Sequence, residues 1–200
     1  MNETAHATLY SMVQFRSRLE ADWAASLHAL NIEWKYEPRL VTLPSGEHYL
    51  PDFWLPQIGT WIEVKGDGVP RTEKAREFAD LVLCTCQERC TCQWFGGQIV
   101  LIGHPALRTE GLRFGALYWE DARYASVLAL CHHCDGHSWL RPRISLRCRN
   151  CGVLDPRALT MSGTAELEFR HADRIDPNRV LAERYAYELQ AAERGRGEVA

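Results

Sequence analysis

No run of eighteen apolar residues occurs in the 200-residue chain, so it offers no candidate for a membrane-spanning helix and no membrane partner is expected. The segment Met1-Asn2-Glu3-Thr4-Ala5-His6 lacks the basic-then-apolar order of a signal peptide, and a cytoplasmic location is expected. There is no surplus of positive charge either: the formal net charge is −3, which argues against indiscriminate binding to polyanions. A local basic site is not excluded, because carboxylates that hold divalent ions count as negative only in the metal-free tally. Internal repeats are absent apart from paired cysteine motifs. What the chain does have is 46% hydrophobic content, enough for one domain of ordinary size and a small appendage, and eight cysteines grouped in short-spaced pairs. In a reducing compartment such pairs favour metal ligation over disulfides.

Apolar residues recur at Phe15, Leu19, Trp23, Leu27 and Leu30, a spacing of three or four that predicts an amphipathic helix over 14–30. Glu20 lies at the edge of that stripe, three, four and seven residues before Trp23, Ala24 and Leu27. The aromatic and β-branched stretch 33–43, the turn Pro44-Ser45-Gly46 and His48-Tyr49-Leu50 read as strand, turn, strand. A carboxylate-bearing hairpin continues that sheet. Thr72 then starts a second helix running to Leu83, and 98–102 is a short apolar strand. Residues 114–119 are a further candidate strand, and Val180, Leu181, Tyr185 and Leu189 predict a helix that fades into the polar tail Glu193-Arg194-Gly195-Arg196-Gly197.

The hairpin is the informative feature. Alternate residues of a strand share a face, so Trp61, Glu63 and Lys65 point one way while Ile62 and Val64 point the other. With Pro56-Gln57-Ile58-Gly59 as the loop, Leu55 pairs with Thr60, and the register sets Asp52 opposite Glu63 with Cβ atoms about 5 Å apart. Two carboxylates at that distance repel unless a cation lies between them.

Pro51-Asp52 followed by Glu63-Val64-Lys65, after a helix carrying Glu20, resembles the PD-(D/E)XK nuclease superfamily. The likeness is strongest to small phage and bacterial proteins of that superfamily whose N-terminal regions read much like Phe15-Arg16-Ser17-Arg18-Leu19-Glu20 and Tyr49-Leu50-Pro51-Asp52-Phe53. It covers residues 10–104. The resemblance implies an α/β, restriction-endonuclease-like core of helix, three-stranded meander, helix and strand. It also implies a Mg²⁺ (or Mn²⁺) ion held by Asp52, Glu63 and the backbone carbonyl of Val64. Glu20 would be an additional catalytic carboxylate, for which Glu33 or Glu37 could substitute, and Lys65 would orient or help activate the attacking water. The activity implied is endonucleolytic hydrolysis of DNA, with a homodimer as the simplest way to cut both strands. The alternative is a non-catalytic DNA- or protein-binding module on the same scaffold.

Cys131-His132-His133-Cys134 and Cys148-Arg149-Asn150-Cys151 are two CxxC pairs separated by thirteen residues, the spacing of a zinc ribbon. Four thiolates closing a tetrahedron leave no open position, so such a Zn²⁺ is structural. His132, His133 and His137 are expected to be bystanders, with substitution of one for a cysteine left open. Arg141, Arg143, Arg147 and Arg149 with Trp139 make a basic strip that either tracks a phosphate backbone or is a solvated face. Cys84-Thr85-Cys86 and Cys90-Thr91-Cys92 fall where the superfamily has a plain connection. They either hold a second Zn²⁺ or are free thiols or a redox pair. The expected organisation is a nuclease core over 10–108 with a cysteine-rich insertion at 84–97, a ribbon over 125–160, and a C-terminal helix and tail over 176–200.

Overall fold

A computed structural model describes residues 6–66, 71–82, 98–103, 116–118, 125–140, 147–148, 150–155, 157, 159–161 and 172. The chain forms two compact units, Met1–Ile32 with Phe169–Ala200, and Glu33–Glu168. Its class is mixed α/β, with two helices and three sheets among the described residues. No helix among them is long and apolar enough to cross a membrane.

In the first unit, β1 (Thr8–Tyr10) and β2 (Val13–Phe15) form an antiparallel hairpin closed by Ser11 and Met12, both with positive φ. A two-residue turn that follows the twist of its strands demands that conformation. Helix α1 spans Arg18–Ala29. It starts later than the apolar spacing predicts, because Phe15 ends β2 and Ser17, in extended backbone, caps the helix by accepting the Glu20 N–H on its hydroxyl. Every residue from Glu20 to Leu27 is buried, so α1 has no solvent-facing side along that stretch. It ends with Asn31 at φ 55°, while Ile32 N–H and Asn31 N–H reach back to the carbonyls of Leu27 and His28. Asp22 accepts the Ala172 N–H at 2.7 Å, which ties the helix to the C-terminal part of its own unit.

The second unit is built on a sheet in the order β11-β10-β9-β8-β7-β6-β3, with β12 paired to β10. These strands are β3 (Lys35–Tyr36), β6 (Phe53–Leu55), β7 (Thr60–Lys65), β8 (Gln98–Gly103), β9 (Ala116–Tyr118), β10 (Ala125–Cys131), β11 (Gly136–Leu140) and β12 (Leu159–Met161). Between β3 and β6, β4 (Val41–Thr42) and β5 (His48–Tyr49) pair, among the described residues, only with each other. The single long strand expected over 33–43 is thus two short ones. The interruption falls at Glu37, left-handed at φ 42°, and Pro38, which has no N–H to donate. The Pro44-Ser45-Gly46 turn is where the sequence places it: Gly46, at φ 84°, donates its N–H to the Leu43 carbonyl.

Helix α2 (Glu73–Val82) crosses between β7 and β8, and that crossover makes them the one parallel pair among the described strands. Its apolar face, Ala75, Phe78, Ala79 and Val82, packs with Ile99 and Leu101 of β8 and with Leu43 and Tyr49 of the β4–β5 hairpin. Glu77 accepts both the Ser45 N–H and the Ser45 hydroxyl, and Lys74 donates to the His48 carbonyl, so α2 holds that hairpin at two points. On the opposite side of the sheet, Phe53, Leu55, Ile62, Val100 and Ile102 are fully or almost fully buried. Both faces of β7 are covered. β10 pairs with β9 through Ala125↔Leu117 and Ser126↔Ala116, so the cysteine-bearing strands expected as an appendage continue the sheet.

Candidate active site and metal centre

The β6–β7 register is the one read from the sequence: Leu55↔Thr60, Trp54↔Trp61 and Phe53↔Ile62. Pro56–Ile58 form a 3-10 turn, and Gly59, at φ 55°, reverses the chain. One step beyond the last pair, Asp52 and Glu63 meet at the same end of the sheet, where β7 and β8 finish. Asp52 is 4% exposed and Glu63 7%. Burying two carboxylates is costly unless each is bonded, and each is. The Val64 N–H donates to Asp52 Oδ2 at 2.7 Å. The Lys65 ammonium donates to Glu63 Oε1 at 2.6 Å, with Lys65 itself still partly exposed. The Tyr49 hydroxyl donates to Glu63 Oε2 at 2.5 Å.

Tyr49 is the site residue that strand periodicity does not reveal. It reaches Glu63 from β5 because α2 pins the hairpin: Phe78 lies against both Tyr49 and Trp61, with ring centroids 5.2 Å apart in each pair. Burial first, and then the neighbouring Glu63 carboxylate, push the Tyr49 phenol far above the usual tyrosine range, so it remains a donor. A usable signal does exist in the sequence. A tyrosine rather than a phenylalanine at an inward strand position needs a partner for its hydroxyl.

Glu20 belongs to the other unit, where its carboxylate accepts the Arg16 N–H at 3.2 Å and its own N–H is capped by Ser17. That is the geometry of a helix start. Of its alternatives, Glu37 lies beside the site, its N–H donating to the Asp52 carbonyl at 2.8 Å. Glu33 lies toward the Pro56–Ile58 turn, bonded through its N–H to Gln57. As donors, the Asp52 and Glu63 carboxylates and a backbone carbonyl are hard oxygens of the kind Mg²⁺ and Mn²⁺ prefer, and the ammonium on Glu63 answers the same excess of negative charge. The donor types are those of such an ion, while Asp52 Oδ2 and both Glu63 oxygens already have partners within the protein.

The four ribbon cysteines converge. The sulfurs of Cys131, Cys134, Cys148 and Cys151 all lie within 4.8 Å of one another, and the Cys131–Cys151 and Cys134–Cys148 pairs are each 3.7 Å apart. A tetrahedron with Zn–S bonds of about 2.3 Å has edges of about 3.8 Å, so the sulfurs are spaced for a zinc ion. The first knuckle joins β10 to β11 around Asp135, left-handed at φ 51°; in the second, Gly152 at φ 75° donates to the Cys148 carbonyl. Partial desolvation, together with hydrogen bonds to the thiols of Cys148, Cys151 and Cys131, pushes the exposed Cys134 thiol up to about 12. At Cys148 burial acts the same way, but backbone N–H groups of Cys151 and Asn150 outweigh it and hold the thiol down to about 6. Four sulfurs this close cannot all be thiolates without a cation.

Trp139 corrects the expected basic strip: it is 2% exposed, paired with Leu128 on the face of β11 away from the cysteine core, so it cannot stack on a base. Arg147 is exposed, whereas Arg141, Arg143 and Arg149 lie outside the described residues, as do Cys84, Cys86, Cys90 and Cys92 and the expected C-terminal helix over 176–200. Gly136 leaves room for the second knuckle. A Cβ there would stand 2.2 Å from Asn150 Nδ2, which itself donates to the His137 carbonyl at 3.2 Å. Gly136→Ala is therefore expected to displace Asn150 and lower the ribbon's stability by about 1 kcal/mol, as one lost hydrogen bond does. Thermal melts of Gly136→Ala, Asn150→Ala and the double variant check this: the double should cost little more than either single. No protein-family model, no curated protein and no solved structure matches this chain.

Proposed function

We propose that this chain is a Mg²⁺- or Mn²⁺-dependent endonuclease that hydrolyses DNA phosphodiester bonds on a restriction-endonuclease-like core of the PD-(D/E)XK superfamily. The observation that carries the reading is the meeting of buried Asp52, buried Glu63 and Lys65 at one end of β6 and β7. Asp52, Glu63 and the Val64 carbonyl would hold the ion. When bound, it supplies Lewis acidity to the scissile phosphate and lowers the pKa of a coordinated water. Lys65 places a cation beside the pentavalent transition state and orients the attacking water. Asp52 is kept in position by the Val64 N–H, and Glu63 by Tyr49 and Lys65. In this reading the four ribbon cysteines hold a structural Zn²⁺. The exposed Arg147, with Arg141, Arg143 and Arg149 nearby in sequence, contacts the phosphate backbone. A pair of chains would cut both strands, in the reducing cytoplasm of a bacterial or phage-infected cell.

A second reading, a non-catalytic binding module on this scaffold, draws support from the same bonds. Both Glu63 oxygens and Asp52 Oδ2 already have partners within the protein. Incubation with supercoiled, linear, single-stranded and branched DNA separates the two readings. Cleavage is expected with Mg²⁺ or Mn²⁺ and should disappear in EDTA. Binding without cleavage of any substrate in either metal would leave the scaffold reading standing.

A further inference from the structure

Glu63 has two oxygens, and the protein engages them differently. Oε1 meets the Lys65 ammonium, on a partly exposed side chain. Oε2 meets the Tyr49 hydroxyl inside the core. Lys65 can swing away, because its side chain is 21% exposed and its stem is flexible. Tyr49 cannot. Its ring packs in the cluster of Leu43, Phe78, Ala79 and Leu101, and the hairpin that carries it is fastened to α2 through Ser45 with Glu77 and Lys74 with the His48 carbonyl.

We propose that Tyr49 is a positioning residue that fixes the metal selectivity of the site by restricting Glu63 to one ligating oxygen. The inference rests on the metal-dependent reading given above. A carboxylate oxygen that already accepts a short hydrogen bond from a rigid phenol keeps a lone pair but is a weaker, orientation-locked ligand, so a cation is offered chiefly the other oxygen, once Lys65 has moved aside. That suits Mg²⁺ and Mn²⁺, which fill a tight octahedron with single oxygens and water. It disfavours Ca²⁺, which takes six to eight oxygens and gains from a bidentate carboxylate. Tyr49 thereby acts on the choice of ion through Glu63 without touching the ion.

Tyr49→Phe keeps the ring against Phe78 and removes only the donor. The test is calorimetric titration of the full-length protein with Mg²⁺, Mn²⁺ and Ca²⁺, without DNA, with Asp52→Asn identifying the heat that belongs to this site. In Tyr49→Phe the Ca²⁺-to-Mg²⁺ affinity ratio is expected to rise about tenfold, the lower end of what loss of an outer-sphere hydrogen bond does at metal sites. 4-Fluorophenylalanine at position 49 fills the hydroxyl's place without donating and should give the same shift, even if Tyr49→Phe fails to fold. 4-Aminophenylalanine restores a donor and should return the ratio toward that of the native protein. An unchanged ratio in either folded non-donor variant overturns the role of Tyr49 while leaving the metal site intact. No Asp52-dependent binding of any of the three ions to the native protein overturns this inference together with the metal-dependent reading.

Discussion

Asp52→Ala is expected to lower the DNA cleavage rate by about 10³-fold or more, equivalent to about 4 kcal/mol of lost transition-state stabilisation. Removing Asp52 takes away a carboxylate that is 4% exposed and bonded to the Val64 N–H, beside the carbonyl proposed as the next ligand. Alanine also leaves that N–H without its acceptor, a loss of about 1–3 kcal/mol in stability. Asp52→Asn is therefore the more discriminating variant, because it keeps an oxygen for the N–H and loses only the charge. Glu63→Gln should behave similarly. Lys65→Ala is expected to cost about 10²–10³-fold in rate, as loss of one preorganised group facing developing charge does. It also removes the cation from Glu63 Oε1, so its melting temperature should fall further than that of Glu63→Gln. Single-turnover cleavage of a plasmid, run beside thermal melts, separates the two effects. Full activity in folded Asp52→Asn would sink the mechanism.

That site was legible from residue numbers because a strand has a period of two and a tight hairpin admits few registers. Pro56 and Gly59 bracket the turn, and once Leu55 faces Thr60 every later pairing follows. The ribbon was legible for a different reason: two CxxC knuckles at that separation have few other uses. What escaped depends on contacts between segments far apart in sequence. Tyr49 reaches Glu63 only because α2 clamps the β4–β5 hairpin through Glu77 and Lys74. Trp139 reads as an aromatic among arginines, yet β11 turns it inward. The start of α1 was misplaced because Phe15 satisfies the helical spacing while lying in β2, and the cap at Ser17 outweighs periodicity. The grouping of α1 with Phe169–Ala200 has no local signal at all, since its visible tie is Asp22 to the Ala172 N–H across 150 residues.

Cys131→Ser is expected to release zinc and unfold the ribbon strands. Cys131 and Cys148 are buried among Ala129, Leu140 and Leu159, so two of the four candidate ligands are also part of the ribbon's small core. Structural zinc contributes about 10–16 kcal/mol in zinc-finger peptides at pH 7, more than most of the roughly 5–15 kcal/mol that holds a whole domain together. A ribbon of three short strands, β11, β10 and β12, has no comparable reserve. Hydrogen exchange should therefore accelerate across Gly136–Leu140, Leu159–Met161 and the Cys131 end of β10, whose Ala125 end is held by β9. It should leave β7 and α2 protected, because their contacts run through Phe78, Ile99 and Leu101 instead. Elemental analysis supplies the complementary count. About one zinc per native chain, lost in Cys131→Ser, assigns the ion to the four ribbon cysteines. Two per native chain, with one retained in the variant, would assign the second to Cys84, Cys86, Cys90 and Cys92. Native zinc content and native exchange in Cys131→Ser would show that the four sulfurs converge without binding metal, and the ribbon would have to stand on its apolar contacts alone.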